Sequence, residues 1–315
     1  MPDIRTDMAM ESVQMVKERQ KTEVDGVVQE RTEPTEGMQV IRVRIANEQG
    51  AKSVGKPVGR YVSMDLDKPF ERGTAFLENA SREFSAHVRA LMDTFKKGDA
   101  PVLVIGLGNR DVTPDSLGPR VVERVLVTRH LKGVVPDELV SRLHGVCGLA
   151  PGVLGVTGME TAEIVRGVVE TVKPCAIVAI DALAARSLGR IASSMQVSDT
   201  GISPGSGLGN RRKGIDEATV GCPVVAIGVP MVVYAATIAH DTAAQAFADM
   251  KVGNEEASKM LETVYKKAVD EMGDMVVTPK EVDELVDDCA DLVADSINMA
   301  LHESVSLEDV RRFMS

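Results

Sequence analysis

Apolar residues recur at Phe76, Leu77, Phe84, Val88, Leu91, Met92 and Phe95, the three-and-four spacing of an amphipathic helix over residues 74–97, with Lys96, Lys97 and Gly98 marking its end. Beyond it the pattern changes. PVLVIG (101–106), AIVAID (176–181) and PVVAIGV (223–229) are unbroken apolar runs of strand length, separated by the helical stretches VVERVLVTRHL (121–131) and TAEIVRGVVETV (161–172). Continuous apolar strands alternating with helices predict an α/β fold whose parallel sheet is covered on both faces. Upstream, QVIRVRI (39–45) and GRYVSM (59–64) alternate with period two around the turn-rich NEQGAKSVGKP, which predicts a small β subregion over 38–66. Residues 1–37 are polar and charged and read as a loosely docked arm, leaving 38–315 as one domain. The C-terminal part, 254–313, is predicted helical. It holds a charged helix at 254–272 and a second at 282–302 that aligns Leu285, Val286, Cys289, Leu292, Val293, Ile297 and Leu301 after a capped start at Thr278, Pro279 and Glu281.

Composition narrows the function classes. With 6 Phe, 3 Tyr and no Trp among 315 residues, the core must be aliphatic, helped by 16 Met, and there is little aromatic surface on which to stack single-stranded nucleic acid. A formal net charge of -11 opposes nonspecific binding to nucleic acid or anionic membrane; it suits basic partners, or serves solubility alone. Cys147, Cys175, Cys222 and Cys289 show no CxxC spacing and read as buried thiols of a reducing cytoplasm. Neither a signal peptide nor a long apolar span is present, so a soluble, intracellular protein is expected.

The candidate chemistry starts at LVIGLGNRDVTPDSLGP (103–119). A dinucleotide-binding turn needs GxGxxG opening a helix directly, whereas Gly106 and Gly108 are followed by a third glycine only at Gly118, and Pro114 delays the helix. Asp115 in this loop is either a helix cap or a functional carboxylate. Asp181 closes an apolar strand, a costly place for a charge unless it is paired, with Arg186 or Arg190, or used. Both aspartates follow predicted parallel strands and would meet at one edge of the sheet, where one can stay protonated as an acid while the other activates water. A second glycine-rich run, SDTGISPGSGLGNRRKG (198–214), lacks the P-loop order; its amides and Arg211, Arg212 and Lys213 could clasp an oxyanion or acidic peptide, or form a solvated basic loop. The histidines show no HxxxH or HExxH spacing, so no metal or cofactor is expected.

Long strings of this chain resemble the germination protease (spore protease) family of endospore-forming bacteria: IRTDMAMES, GRYVSM, VIGLGNRDVTPDSLGPRVVERVLVTRHL, APGVLGVTGMET, AIDALAARS, ISPGSGLGNRRK, PVVAIGVPMVV and VTPKEVDELV. The resemblance implies a three-layer α/β/α sandwich with a mostly parallel sheet, like that of hydrogenase maturation endopeptidases. It implies an atypical aspartate-dependent endopeptidase of the spore core that degrades small acid-soluble spore proteins. The family's proposed catalytic carboxylates fall on Asp115 and Asp181. The expected substrate or oxyanion contacts are Gly106, Gly108, Asn109, Gly205, Gly207 and Arg212. The resemblance further implies a homotetramer, and zymogen control by a propeptide ending just before an IRTD-like segment, ahead of which this sequence carries Met1, Pro2 and Asp3. It departs from the family pattern at His144 and Cys147 and in a shorter stretch around 250–275. A metal-assisted protease of the hydrogenase-maturation type and a nucleotide- or phosphate-binding regulatory module are the alternatives.

Overall fold

A computed structural model describes the chain apart from residues 1–3, 21–22, 96–98, 135–142, 204–212, 252, 303–305 and 315. In chain order the principal elements are α1 (Ala9–Gln20), β1 (Val27–Thr35), β2 (Met38–Ile45), α2 (Glu48–Val54), β3 (Gly59–Leu66), α3 (Thr74–Met92), β4 (Val102–Gly106), α4 (Leu117–Arg124) and β5 (Val146–Leu149). There follow α5 (Leu154–Thr157), α6 (Thr161–Val172), β6 (Ala176–Ala185), β7 (Ser194–Ser198), α7 (Glu217–Val220), β8 (Val224–Tyr234), α8 (Ala235–Asp249), α9 (Asn254–Met272), β9 (Val276–Val277), α10 (Val282–Leu301) and α11 (Leu307–Met314).

One sheet runs through the molecule in the order β1-β2-β3-β7-β8-β6-β4-β5, with β9 on β8. Its centre, β8-β6-β4-β5, is parallel, and antiparallel strands extend it toward β1. Alternate residues of each central strand face opposite layers, which is why both sets must be apolar. Val102, Val104, Val178 and Ile180 pack under α3, α4 and α10 through Phe84, Leu91, Leu117, Val121, Val293 and Ile297. Leu103, Ile105, Ile177 and Ala179 pack under α6 and α7 through Val165, Val169 and Val220. The result is the expected α/β/α sandwich.

Four readings of the sequence change. First, the described residues of the 1–37 arm are docked: Met8, Ala9, Met10 and Val13 are fully buried against Ile41, Val43 and Tyr61, and β1 pairs along β2. Its polar composition reflects the exposed face of β1, an edge strand, rather than looseness. Second, the hairpin-like 38–66 subregion joins the main sheet through β3 and β7, and its connection carries α2, capped by the Asn47 side chain accepting from Gly50 N at 2.9 Å. Third, α4 stops at Arg124 where Val125 turns extended, so the helical run predicted to 131 is cut short. At α10 the expected cap is absent: Glu281 makes no side-chain cap bond, and Thr278 Oγ1 donates instead to Met231 O at 2.9 Å.

A single carboxylate fastens the docked arm. Glu11 is 2% exposed; it accepts from Thr6 Oγ1, from Arg186 N at 2.7 Å, from Ser187 N at 3.3 Å and from Arg190 Nη1 at 2.9 Å. A buried charge satisfied on every side is costly to neutralise, because its partners are left without an anion. Glu11→Gln is therefore expected to destabilise the fold by about 3 kcal/mol, read as a lowered urea midpoint at unchanged slope.

Candidate active site

The chain leaves β4 for β5 on one side, while β6 lies on the other, and the helices following β4 and β5 cover opposite faces of the sheet. This is the topological switch point at which α/β sheets open a crevice beyond the carboxyl ends of their strands. The loop after β4 carries Asp115, and Asp181 lies on β6 one residue past the last pair that β6 makes with β4, Gly106↔Ile180. Asp181 is thus sixth of ten strand residues rather than at the strand end, but it sits where β4 no longer covers it. Both aspartates line one cavity of about 430 Å³.

The glycines of the GLGN turn set the position of Asp115. A methyl group on Gly106 would meet Gly118 O at 2.1 Å, and one on Gly108, at φ +106°, would meet Asp115 O at 2.0 Å. Two backbone segments therefore touch directly, which clamps the 115–118 segment onto the end of β4. Asp115 Oδ2 accepts from Asn109 N at 2.8 Å, which fixes the carboxylate's orientation. The helix-cap reading of Asp115 does not hold: α4 has no side-chain cap, and the carboxylate reaches back to residue 109.

Asp181 is 5% exposed, and its Oδ1 accepts from Ala182 N at 3.0 Å. The two arginines offered as its structural partners are engaged elsewhere. Arg186 pairs with Glu18 at 3.5 Å and Asp241 at 3.7 Å, and Arg190 with Glu11 at 2.9 Å and Asp65 at 3.4 Å.

The remaining expected contacts fare differently. Gly106, Gly108 and Asn109 are absent from the described cavity wall; they support Asp115 from behind. Gly205, Gly207, Arg211 and Arg212 lie outside the described residues, although Gly201, Ile202 and Ser203, which lead into that run, line the cavity. His144 and Cys147 also stand apart: Cys147, on β5, donates to Val102 O at 3.6 Å. Cys222 and Cys289 are buried and Cys147 and Cys175 half-buried, none of them in a disulfide; burial pushes the Cys222 thiol up to about 11.

Three further charged residues of the cavity were not legible in the sequence: Asp7, Lys56 and Asp216. Asp216 caps α7, accepting from Thr219 N and Thr219 Oγ1 at 2.8 Å each. Asp7 pairs with β6 just past Asp181, its N donating to Ala184 O at 2.9 Å and its Oδ2 accepting from Ala184 N at 2.8 Å. Lys56 Nζ donates to Thr6 O and Asp7 O, both at 3.1 Å. Tyr61 completes this side; its hydroxyl donates to Pro57 O at 2.8 Å, and burial pushes its pKa up to about 12. Among the described residues no group of three or more His, Cys, Asp or Glu is arranged to hold a metal ion, and no helix is long and apolar enough to cross a membrane.

The germination protease model of peptidase family A25 matches residues 4–268 and 251–314. The chain belongs to the germination protease family. It is 42% identical over 328 residues to the germination protease of Clostridium perfringens, with 100% of each chain covered. It is 40% identical to that of Clostridium tetani, with 99% of each chain covered, and 39% identical to that of Bacillus velezensis, over 97% of this chain and 95% of the relative. Among solved structures it is similar to a [NiFe] hydrogenase maturation protease, HycI from Thermococcus kodakarensis, at 16% identity and a TM-score of 0.32, covering 67% of this chain and 98% of that one. As a germination protease family member the chain is a peptide hydrolase, and the cavity at the switch point, with Asp115 and Asp181 on the wall, is its candidate active site.

Proposed function

We propose that this family member is an endopeptidase that degrades small acid-soluble spore proteins at germination, and that Asp115 and Asp181 carry out the hydrolysis. The observation that supports this reading is the convergence of two carboxylates from neighbouring strands on one cavity at the switch point. In this mechanism one carboxylate is ionised and takes a proton from the attacking water, while the other, kept protonated by its neighbour, delivers a proton to the departing amine. The two then titrate as a pair.

The edge of β6 suits an extended peptide. In β6, Ile180 O accepts from Leu107 N at 2.8 Å and Ala184 is bonded to Asp7, while Ala182 between them faces the side that β4 has left. Ala182 is the single half-buried position of an otherwise buried strand, and it lines the cavity beside Asp181. A substrate strand added there would bring its backbone past the aspartates. The net charge of -11 favours basic, DNA-coating substrates. Homotetrameric assembly, zymogen control and location in the spore core belong to the same proposal, on the strength of the family likeness.

The test is digestion of a purified small acid-soluble spore protein, with fragments mapped by mass spectrometry and a parallel reaction dialysed against chelator. Cleavage at a few defined peptide bonds, unchanged by the chelator, is expected. No cleavage would overturn the substrate assignment; loss of cleavage in chelator with recovery on adding a divalent metal would replace the two-aspartate route by a metal-assisted one.

A further inference from the structure

Addition of water to a peptide carbonyl places negative charge on its oxygen, and an active site needs a donor aimed at that oxygen. Three main-chain amides beside the two aspartates are already committed: Asn109 N to Asp115 Oδ2, Ala182 N to Asp181 Oδ1, and Leu107 N to Ile180 O. A charged side chain on the described cavity wall can supply that donor.

Lys56 is the one basic side chain among the described residues that line the cavity, facing the four carboxylates Asp7, Asp115, Asp181 and Asp216. Its ammonium carries three N–H groups. Two are held by the main-chain oxygens of Thr6 and Asp7, at 3.1 Å each, and no carboxylate among the described residues lies within 4.0 Å of Nζ. Neutral carbonyls fix the side chain in place without cancelling its charge. That leaves one N–H of the ammonium without a partner among the described residues, in a site whose other described charged groups are all acidic. A lysine held in this way is matched to an oxygen that is neutral in the substrate and becomes anionic as water adds.

We propose that Lys56 Nζ donates to the carbonyl oxygen of the scissile peptide bond and stabilises the oxyanion of the tetrahedral intermediate. The proposal rests on the assignment of Asp115 and Asp181 above. As water adds, its oxygen bonds to the carbonyl carbon, its proton passes to the ionised aspartate, and the carbonyl π pair moves onto the oxygen held by Lys56. Collapse returns that pair, breaks the C–N bond, and takes the second aspartate's proton to the amine. Lys56 stays protonated throughout. Withdrawal from solvent lowers its pKa below the usual lysine value, opposed by the nearby charges of Asp7 and Glu11. The other titratable groups facing it across the cavity are Asp115, Asp181, Asp216 and Tyr61. Activity should therefore fall on the alkaline side as the ammonium is lost, earlier than an ordinary lysine would dictate.

The experiment compares Lys56→Met and Lys56→Arg with the unmodified protein, measuring kcat, KM, thermal midpoint and the pH profile of kcat on a peptide spanning one cleavage site. Lys56→Met is expected to lose about a hundredfold or more in kcat with KM within about threefold. Lys56→Arg should keep more activity than Lys56→Met and shift the alkaline limb upward, since a guanidinium does not deprotonate in this range. The proposal is overturned if Lys56→Met keeps kcat within about threefold, or if its whole loss is in KM with a lowered thermal midpoint, as a mere anchor of residues 6 and 7 would give. Should Lys56→Met fail to fold, an unmoved alkaline limb in Lys56→Arg overturns it alone. Asp115→Asn and Asp181→Asn are run alongside: if they stay active, the aspartate assignment itself falls, whereas inactive aspartate variants with an active Lys56→Met refute Lys56 only.

Discussion

Asp181→Asn and Asp115→Asn are each expected to lower kcat/KM for a basic peptide by about a thousandfold or more, the loss coming in kcat. General acid and base work require a proton to be taken and a proton to be given, and an amide does neither. On the proposed mechanism the two carboxylates act as one unit, and the double variant should then cost about as much as either single one rather than the product of the two. Stability is expected to move the other way. Asp181 is 5% exposed, and holding a carboxyl group there is a standing cost that an isosteric amide reduces. Asp181→Asn should therefore keep or raise the thermal midpoint while abolishing turnover. A purely structural carboxylate, such as Glu11, gives the opposite pairing of effects. Single variants within tenfold of the unmodified protein would remove these aspartates from the chemistry.

The second large effect concerns a residue with no side chain. Gly118→Ala would place a methyl group 2.3 Å from Leu107 O, 2.5 Å from Leu107 N and 2.7 Å from Ile180 O. All three are backbone atoms, of β6 and of the residue just past β4, so no rotamer change relieves the overlap. A loss of at least about 3 kcal/mol is expected, enough to leave much of the chain unfolded, to be read from denaturant midpoints. The fraction that folds should also be inactive, since Leu107 follows the end of β4 in the loop toward Asp115 and Ile180 directly precedes Asp181 on β6. Gly167→Ala is the matched control: Gly167 lies inside α6 with nothing within 4 Å, and alanine there should stabilise by about 0.5–1 kcal/mol. If both variants behaved alike, the clamp between β4 and α4 would have no energetic weight.

How much of this was written in the sequence depends on the range of the interaction. The central strands were legible because residues buried on both faces leave an unbroken apolar run, as in AIVAID and PVVAIGV. Helix α6 was legible to the residue, since its apolar period and the turn that follows coincide. Strand β7 escaped because SMQVS is short and mixes polar with apolar positions; Gln196 is used to accept from Ala9 N at 2.8 Å. Helix α8 escaped because AATIAHDTAAQAFAD has little apolar periodicity. At the site, Asp115 and Asp181 stood out as carboxylates next to apolar strands, a local anomaly. Asp7 and Lys56 offered no such signal. Each lies in a polar stretch, and what brings them to the cavity is the docking of α1 and the path of the α2–β3 connection, neither of which has a local signature.

That docking ties the site to the order of folding. Asp7 and Ala184, joined by two hydrogen bonds at the cavity wall, are 177 residues apart in the chain, and Lys56 closes onto residues 6 and 7 across roughly 50 more of sequence separation. Contacts of such long range carry a large loop-closure cost and are expected to form late in folding. A partly folded or nascent chain would hold both aspartates yet lack the finished wall around them. Proteolytic competence would then arrive with the last long-range closures of the fold, so that the chain acquires its activity only once it is itself too well packed to be cut.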